Sequence, residues 1–263
     1  MTYLDQPEKG EADPVPDDPA FNALSLNPEQ WALFFDIDGT LLDIAETPDR
    51  IVVPPALPQH LKTLSERFGG ALALVTGRSV AFADTLFAPF HFPIAGLHGA
   101  ERRDAAGQLR QVQIPPEFEE MKLSIARQAE ILPGVLVEDK GAAVAVHYRL
   151  APEHKAAVEA IMERHLGEAG PDWALQDGKM VIEIRPGRAN KGHAIEAFLE
   201  DDPFQHRKPF AIGDDVTDET MFKIANELGG QSLRIGAPIA ETFAHASLPS
   251  PAHLRELIGR LAT

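Results

Sequence analysis

Two acids separated by one residue follow a short apolar segment near the start of the chain. Residues 31–35, Trp-Ala-Leu-Phe-Phe, precede Asp36, and Asp38 comes two positions later, just before Gly39. The segment predicts a buried strand, and carboxylates at the end of such a strand lose hydration and repel each other unless a cation or a proton balances them. The pair therefore predicts a site that gathers positive charge from elsewhere in the chain.

Further polar groups come where other predicted strands end or helices begin. Thr76 follows an apolar segment, Lys191 opens a predicted helix, and Asp214 lies in the acidic sequence GDDVTDE after another apolar segment. Because functional groups in open α/β sheets gather at the carboxyl ends of the strands, we expect these side chains to converge. Carboxylates, a hydroxyl and an ammonium in one place are the groups that phosphoryl transfer requires.

The physical chemistry of phosphoryl transfer predicts a role for each group. A carboxylate at about 3.3 Å from a phosphate meets a repulsion of about 5 kcal/mol per unit charge at an effective dielectric of about 20, so cations are needed. Asp36 and Asp214 could hold Mg²⁺, which prefers carboxylate and phosphate oxygens. Lys191 would hold the phosphate and Thr76 would donate its hydroxyl. Asp38 would protonate the leaving alcohol and later activate water.

Each signal also has a simpler interpretation when it is taken alone. A D-x-D-G sequence occurs in calcium loops. In such a loop the glycine is the sixth residue and the loop follows a helix, whereas Gly39 is the fourth residue counted from Asp36 and the segment follows an apolar strand. GDDVTDE could be a loop and helix cap, and Lys191 could be a solvated surface lysine. Their joint occurrence in this order favours the phosphoryl-transfer hypothesis. The glycines form neither GxxxxGK nor GxGxxG, so a nucleotide-binding loop is not supported.

Short apolar segments alternate with amphipathic segments from Trp31 onward, which predicts a parallel sheet with crossover helices. The predicted strands are 31–36, 71–76, 92–96, 208–213 and 231–235, and the predicted helices are 55–68, one that opens with Ser79 as N-cap, 190–200 with Asn190 as N-cap, 217–227 and 251–261.

The middle of the chain interrupts this alternation. A hairpin that turns at 104–107 is followed by helix, hairpin, helix and a last hairpin through Gln176, Asp177 and Gly178. We therefore predict an inserted domain at 113–184 within a core formed by 28–112 and 185–263. Residues 1–27, rich in Pro, Asp and Glu, predict a flexible acidic tail. His147 lies in an apolar strand, and we expect it to pack in the interior.

The composition excludes several classes of partner. Forty acids against 24 lysines and arginines give a formal charge of −16, which repels nucleic acid and anionic membranes. The chain has no cysteine, which fits a reducing compartment, and it has neither a signal-type N-terminus nor about 18 consecutive apolar residues. We expect a cytoplasmic protein that acts on a small molecule, with no nucleic-acid or membrane partner, and a monomer is compatible with the sequence.

Taken together, the motifs resemble those of the haloacid dehalogenase superfamily, and within it the trehalose-6-phosphate phosphatase family. The resemblance covers nearly the whole chain from Trp31. It implies a Rossmann-like core with a parallel sheet, an inserted α/β cap that closes over a sugar, and Mg²⁺-dependent hydrolysis of trehalose 6-phosphate. The segments that carry it are FFDIDGTL at 34–41, VTGR at 75–78, GLHGAE at 96–101, KGAAVAVHYR at 140–149, EIRPGRANKG at 183–192 and GDDVTDE at 213–219.

The resemblance implies the role of each catalytic residue. Asp36 would become an aspartyl-phosphate, and Asp38 would be the general acid/base, with its backbone carbonyl also touching Mg²⁺. Asp214 would be the direct metal ligand. The remaining assignments are that Thr76 and Lys191 bind phosphate, that Asp215 and Asp218 order the waters of the metal or Lys191, and that the sugar contacts come from His98, Gly99, Lys140, Arg149 and Glu183.

Three alternatives remain open from the sequence. A phosphatase for another glycosyl or hexose phosphate would share the core, because only cap residues discriminate between sugars. A signalling receiver module uses Asp, Thr, Lys and Mg²⁺ as well, but it is about half this length and has no cap. A catalytically silent binding protein would bind the sugar phosphate without turnover.

Overall fold

A computed structural model describes residues 27–45, 50–178, 180–187, 189–237 and 241–263. The predicted tail at 1–27 lies outside these ranges except for Asn27. In the described part of the chain the strands are β1 (Trp31–Phe35), β2 (Leu72–Val75), β3 (Ile94–Gly96), β4 (Glu101–Arg103), β5 (Leu109–Gln111), β6 (Leu136–Asp139), β7 (Val144–His147), β8 (Trp173–Gly178), β9 (Val181–Pro186), β10 (Lys208–Gly213), β11 (Gln231–Ile235) and β12 (Ala246–Leu248).

The α-helices lie between these strands and after the last of them. In the described ranges they are α1 (Leu57–Arg67), α2 (Val80–Phe87), α3 (Pro116–Ala129), α4 (Lys155–Ala169), α5 (Lys191–Leu199), α6 (Glu219–Glu227) and α7 (Pro251–Leu261). None of the helices that the structure describes is both long and apolar enough to cross a bilayer.

The larger sheet has β1 near its centre, between β10 and β2. As far as the structure describes it, its order is β12-β11-β10-β1-β2-β3-β4-β5, and every pairing from β12 to β3 is parallel. Leu33 and Phe35 pack on one face of the sheet, whereas Ala32 and Phe34 pack on the other. Burial on both faces explains why β1 is apolar at every position. Asp36 directly follows β1 and therefore lies at the carboxyl end of the parallel sheet.

A second, antiparallel sheet has the order β6-β7-β9-β8. One face packs against α3 and α4, where Ile182 and Ile184 of β9 join Val158 and Met162 of α4. Side chains alternate along a strand, so Glu183 lies on the opposite face. The predicted α/β architecture, with a parallel core sheet and an inserted α/β unit, is confirmed.

The structure differs from the expected elements at three points. Gln176, Asp177 and Gly178 lie within β8 rather than in the turn, because Asp177 and Gly178 pair with Ile182 and Val181 and only two residues connect the strands. The three-residue strand β12 was not expected from the sequence. The predicted boundary at 184 falls inside β9, so the domain limits remain a proposal.

Candidate active site

The centre of the site is an ammonium held between two buried carboxylates. Lys191 Nζ lies 2.6 Å from Asp36 Oδ1 and 2.5 Å from Asp218 Oδ1. These three residues come from the end of β1, the first turn of α5 and the short 3₁₀ turn before α6, and all are buried. Asn190 caps α5 by accepting a hydrogen bond from the His193 amide at 2.9 Å, which fixes the turn that carries Lys191.

Asp218 is committed on both of its oxygens. Oδ1 accepts from Lys191, while Oδ2 accepts from the backbone amides of Asp214 and Asp215 at 2.8 and 3.0 Å. The side chain therefore orders the loop after β10 and orients Lys191. The supporting role of Asp218 in catalysis stays a prediction.

Asp214 faces Asp36 from the neighbouring strand end. Thr40 Oγ1 donates to Asp214 Oδ1 at 3.2 Å. Gly39 has φ +82°, and a Cβ at that position would lie 2.1 Å from Asp214 Oδ2. Only glycine allows both this backbone conformation and this approach, which explains the D-x-D-G sequence physically.

The site carries more negative than positive charge. One oxygen from each of Asp36, Asp214 and Asp218 lies within 4.8 Å of the others, and Lys191 is the ammonium among them. Burial, and then the charges of Asp218 and Asp214, raise the pKa of Asp36 well above its usual value even though Lys191 lowers it. Burial and Asp218 likewise raise the pKa of Asp214 to about 6.

This excess of buried carboxylates fits a divalent cation. A hard cation takes carboxylate oxygens as ligands and would offset the burial and the repulsion that raise the pKa values of Asp36 and Asp214. Asp36 and Asp214 are the side chains that could hold it, because Asp218 already binds Lys191 and two amides.

Asp38 forms an ion pair that was not foreseen from the sequence. Arg78 Nε and Nη2 donate to its two carboxylate oxygens at 2.6 and 2.7 Å. Arg78 also lies over the Phe82 ring, 4.6 Å from its centroid. Such a two-pronged contact fixes the direction of a carboxylate, so Arg78 determines where Asp38 points.

Thr76 and His98 follow two neighbouring strands of the core sheet, β2 and β3. Thr76 is fully buried, and its Oγ1 accepts from the backbone amide of Arg78 at 3.1 Å, which leaves its hydroxyl proton for another acceptor. His98 has φ +56°, and its ring packs against Gly77. Burial first, and then nearby cations including Lys191, hold the pKa of His98 well below its usual value. The imidazole is therefore neutral.

A cavity of about 630 Å³ opens between the core sheet and the antiparallel sheet. The core contributes the two acids after β1, Arg78, His98 and Lys191, while the second sheet contributes Lys140. Lys140 Nζ reaches Glu183 Oε2 at 2.6 Å, and Glu183 is buried. The other residues from the second sheet that line the cavity are Glu138, Asp139 and His147.

His147 is not the interior residue that its strand predicts. It lines the cavity, and its Nε2 lies 2.9 Å from Glu138 Oε2. This hydrogen bond, against a smaller effect of burial, lowers the pKa of Glu138. The apolar residues on both sides of His147 in the sequence hid its position at the end of β7.

Three predicted sugar-binding residues, Gly99, Arg149 and Glu183, are not among the residues that line this cavity, and Glu183 reaches it only through Lys140. Gly99 packs against Asn190 and Ala194 at the start of α5, and Arg149 is exposed after β7. Asp215 lines the cavity, and its side chain accepts from the Val216 amide. The substrate contacts of all five predicted sugar-binding residues stay predictions.

The fold is similar to that of a solved protein. Its backbone superposes on the C-terminal domain of trehalose-6-phosphate phosphatase from Candida albicans with a TM-score of 0.78 at 23% identity, covering 95% of this chain and 97% of that one. The parallel core sheet and the inserted α/β unit are therefore shared with a solved phosphatase domain.

Comparison with known sequences identifies the family to which the chain belongs. The trehalose-phosphatase family model matches residues 34–247. A probable trehalose-phosphate phosphatase from Sinorhizobium fredii is 57% identical over 241 residues, which are 92% of this chain and 91% of that protein. Trehalose-6-phosphate phosphatase from Escherichia coli is 44% identical over 208 residues, 79% of this chain and 78% of that protein. The chain belongs to the trehalose-phosphatase family, and it is a phosphoric monoester hydrolase.

The raised pKa of Asp214 predicts a pH-dependent effect of Asp214→Asn. The pKa of Asp214 is about 6 in the folded state and 3.8 for the usual carboxyl, so the native state binds the proton more tightly than the unfolded state does. The free energy of unfolding therefore falls as pH rises from about 4 to about 6. In buffer without divalent ions, the variant should gain about 1 to 3 kcal/mol of unfolding free energy at pH 7.5 and little at pH 4.

Urea unfolding at both pH values measures this effect. Asp177→Asn, at an exposed position of β8, is the matched control and should change stability equally at both pH values. A loss of stability in Asp214→Asn at pH 7.5, or the same gain at both values, would contradict the charge excess described for the site.

Proposed function

We propose that the protein hydrolyses trehalose 6-phosphate to trehalose and inorganic phosphate, with Mg²⁺ and through an aspartyl-phosphate on Asp36. The observation that carries the proposal is the Asp36–Lys191–Asp218 arrangement beside Asp214, at the floor of a cavity whose other wall is the antiparallel sheet. Membership of the trehalose-phosphatase family supports the choice of substrate. Its placement in the cytoplasm stays a prediction.

In the first step Asp36 acts as the nucleophile. Lys191 holds Oδ1, so we assign Oδ2 as the atom that forms a bond to phosphorus while the bond from phosphorus to the sugar oxygen breaks. For this step Asp38 must first take up a proton from solvent, which requires one of its two contacts with Arg78 to open. It then gives that proton to the sugar oxygen, and trehalose leaves as the neutral alcohol. Lys191 and the Thr76 hydroxyl neutralise and bind the phosphoryl oxygens.

In the second step Asp38 acts as a base. It takes a proton from water, the water oxygen bonds to phosphorus, and the bond to Asp36 breaks to release inorganic phosphate and the carboxylate. Mg²⁺, held by Asp36, Asp214 and by resemblance the Asp38 carbonyl, would supply positive charge for the phosphoryl group. Arg78 would keep Asp38 directed at the cavity between the steps.

We also propose a division of labour between the two sheets. The residues around β1, α5 and β10 bind the phosphate, while the cap, predicted at 113–184, binds the sugar and covers it from water. A cavity of about 630 Å³ is within the usual range of about 300 to 1,000 Å³ for small-molecule sites. Lys140 and Glu183 supply a paired donor and acceptor on the cap side.

A panel of sugar phosphates with and without Mg²⁺ tests the proposed function. Phosphate release should be fastest from trehalose 6-phosphate, should stop in EDTA, and should fall by about three orders of magnitude or more in Asp36→Asn, because an amide is a poor nucleophile. Faster turnover of a hexose phosphate would assign the alternative substrate. Near-normal activity of Asp36→Asn would remove the covalent step.

The proposed division of labour predicts a selective effect of Glu183→Ala. The variant should lose about 100-fold in kcat/KM for trehalose 6-phosphate, since a buried partner of Lys140 is removed, but much less for a small aryl phosphate that makes no cap contacts. Steady-state kinetics on both substrates provides the measurement. Glu159→Ala, on the exposed face of α4, is the control and should affect neither substrate. Equal losses on both substrates would contradict the proposal.

A further inference from the structure

Lys122 of α3 is a buried lysine that the proposed mechanism does not use. It is 6% exposed, and its Nζ lies 2.8 and 3.0 Å from the two oxygens of Asp139, 3.1 Å from the Gly141 carbonyl and 2.9 Å from Glu119 Oε1. A lysine is seldom buried to this degree unless it is paired. All of its bonds outside its own helix go to the turn between β6 and β7.

That turn presents Lys140 to the cavity. Asp139 and Gly141, the two residues that Lys122 binds, are the neighbours of Lys140 on either side. The Lys140 amide donates to the Ala143 carbonyl at 3.0 Å, and the Gly141 amide donates to Asp139 Oδ1 at 2.8 Å. Gly141 has φ +74°, so the turn depends on a backbone conformation that other residues rarely adopt.

Lys140 connects the turn to the rest of the cap site. Its ammonium lies 2.6 Å from Glu183 and lines the cavity, whereas Lys122 is not among the lining residues in the described part of the chain. A lysine side chain loses considerable rotamer freedom when it is held in one place. Ordering the backbone at Lys140 would add to that cost. Because the turn is already fixed on both sides of Lys140, substrate binding does not have to order the backbone as well.

We propose that Lys122 is a positioning residue for sugar recognition: by binding Asp139 and Gly141 it fixes the turn that directs Lys140 towards Glu183 and the substrate. The proposal rests on the proposed function, in which the cap binds the sugar. Lys122 itself does not touch the substrate. Its effect on catalysis should therefore pass through Lys140.

Surrounding charges are consistent with a permanent ammonium at this position. Burial lowers the pKa of Lys122, but its contacts with Asp139 and Glu119 outweigh burial and leave that pKa raised. Asp139 and Glu119 are both more than half exposed, so water can solvate them when the lysine is replaced. Lys122→Met should consequently fold while releasing the turn.

The first test compares Lys122→Met with the wild type on two substrates. For trehalose 6-phosphate, kcat/KM should fall about tenfold or more, mainly through KM, while kcat/KM for a small aryl phosphate should stay within about twofold. Lys155→Met, an exposed lysine of α4 in the same domain, is the matched control and should match the wild type on both. A purely structural role would reduce both activities in parallel and would overturn the proposal.

A second variant perturbs the same turn without touching Lys122. A Cβ at Gly141 would meet no atom within 4 Å, so Gly141→Ala acts only through its positive φ. It should reproduce the selective loss for trehalose 6-phosphate. Gly107→Ala is the control, since Gly107 has φ +82° in the β4–β5 turn with equally open space, and it should have no selective effect.

A double-mutant cycle with Lys140→Ala decides whether Lys122 acts through Lys140. In that background Lys122→Met should cost no more than about twofold, because its target is already gone. Additive losses would overturn the inference while leaving the proposed function intact. Absence of trehalose 6-phosphate turnover in the wild type would instead remove the proposed function, and this inference with it.

Discussion

The buried ion pair of Lys191 with Asp36 and Asp218 is the interaction on which the rest of the site depends. Removing two carboxylates and an ammonium from water is costly, and their attraction offsets that cost only when geometry is close and other lone pairs are satisfied. The geometry is close, since the ammonium lies within 2.6 Å of both acids, and the lone pairs of the second Asp218 oxygen are satisfied by two amides. Three separate segments of chain meet to make this contact.

The remaining negative charge gives the site its chemistry. With Asp214 beside Asp36, one ammonium cannot balance the carboxylates, and the pKa values of both acids rise. Because a raised carboxyl pKa lowers the free energy of unfolding at neutral pH, the excess of carboxylates destabilises the fold when no ligand is bound. The imbalance is explained if the protein binds a cation together with a phosphate ester, which is why we propose metal-dependent phosphoryl transfer to Asp36.

Much of the fold could be predicted because its periodicity is strong. The strand at 208–213, the strand at 231–235 and the helix at 251–261 lie where the sequence places them. The turn expected at 176–178 was wrong because a two-residue connection leaves little turn sequence to recognise. The strand β12, Ala246–Leu248, has neither the apolar segment of the strand predicted at 92–96 nor the turn of the hairpin at 104–107, so the sequence did not indicate it.

The site was predictable only where strand ends define it. Asp36 and Asp214 come together because the parallel strands β1 and β10 end side by side, and the first turn of α5 brings Lys191 to them and to Asp218. Arg78 was missed as the partner of Asp38, since 40 positions separate them, although its place two residues after Thr76 at the neighbouring strand end was a usable signal. Which residues of the antiparallel sheet line the cavity, Glu138 and His147 among them, depends on how two sheets face each other, which no local pattern encodes.

The most direct test of this account is the coupling between Lys191 and Asp218 in the free energy of unfolding. Urea unfolding of Lys191→Met, Asp218→Asn and the double variant, at pH 7.5 in EDTA, gives that coupling. We expect about 2 kcal/mol or more, because Lys191→Met leaves the Asp218 carboxylate buried without its ammonium and the double variant does not, whereas Asp36 loses Lys191 in both, so that its cost cancels. A coupling below about 0.5 kcal/mol would mean that the two side chains act independently, and it would contradict the central place given to this ion pair.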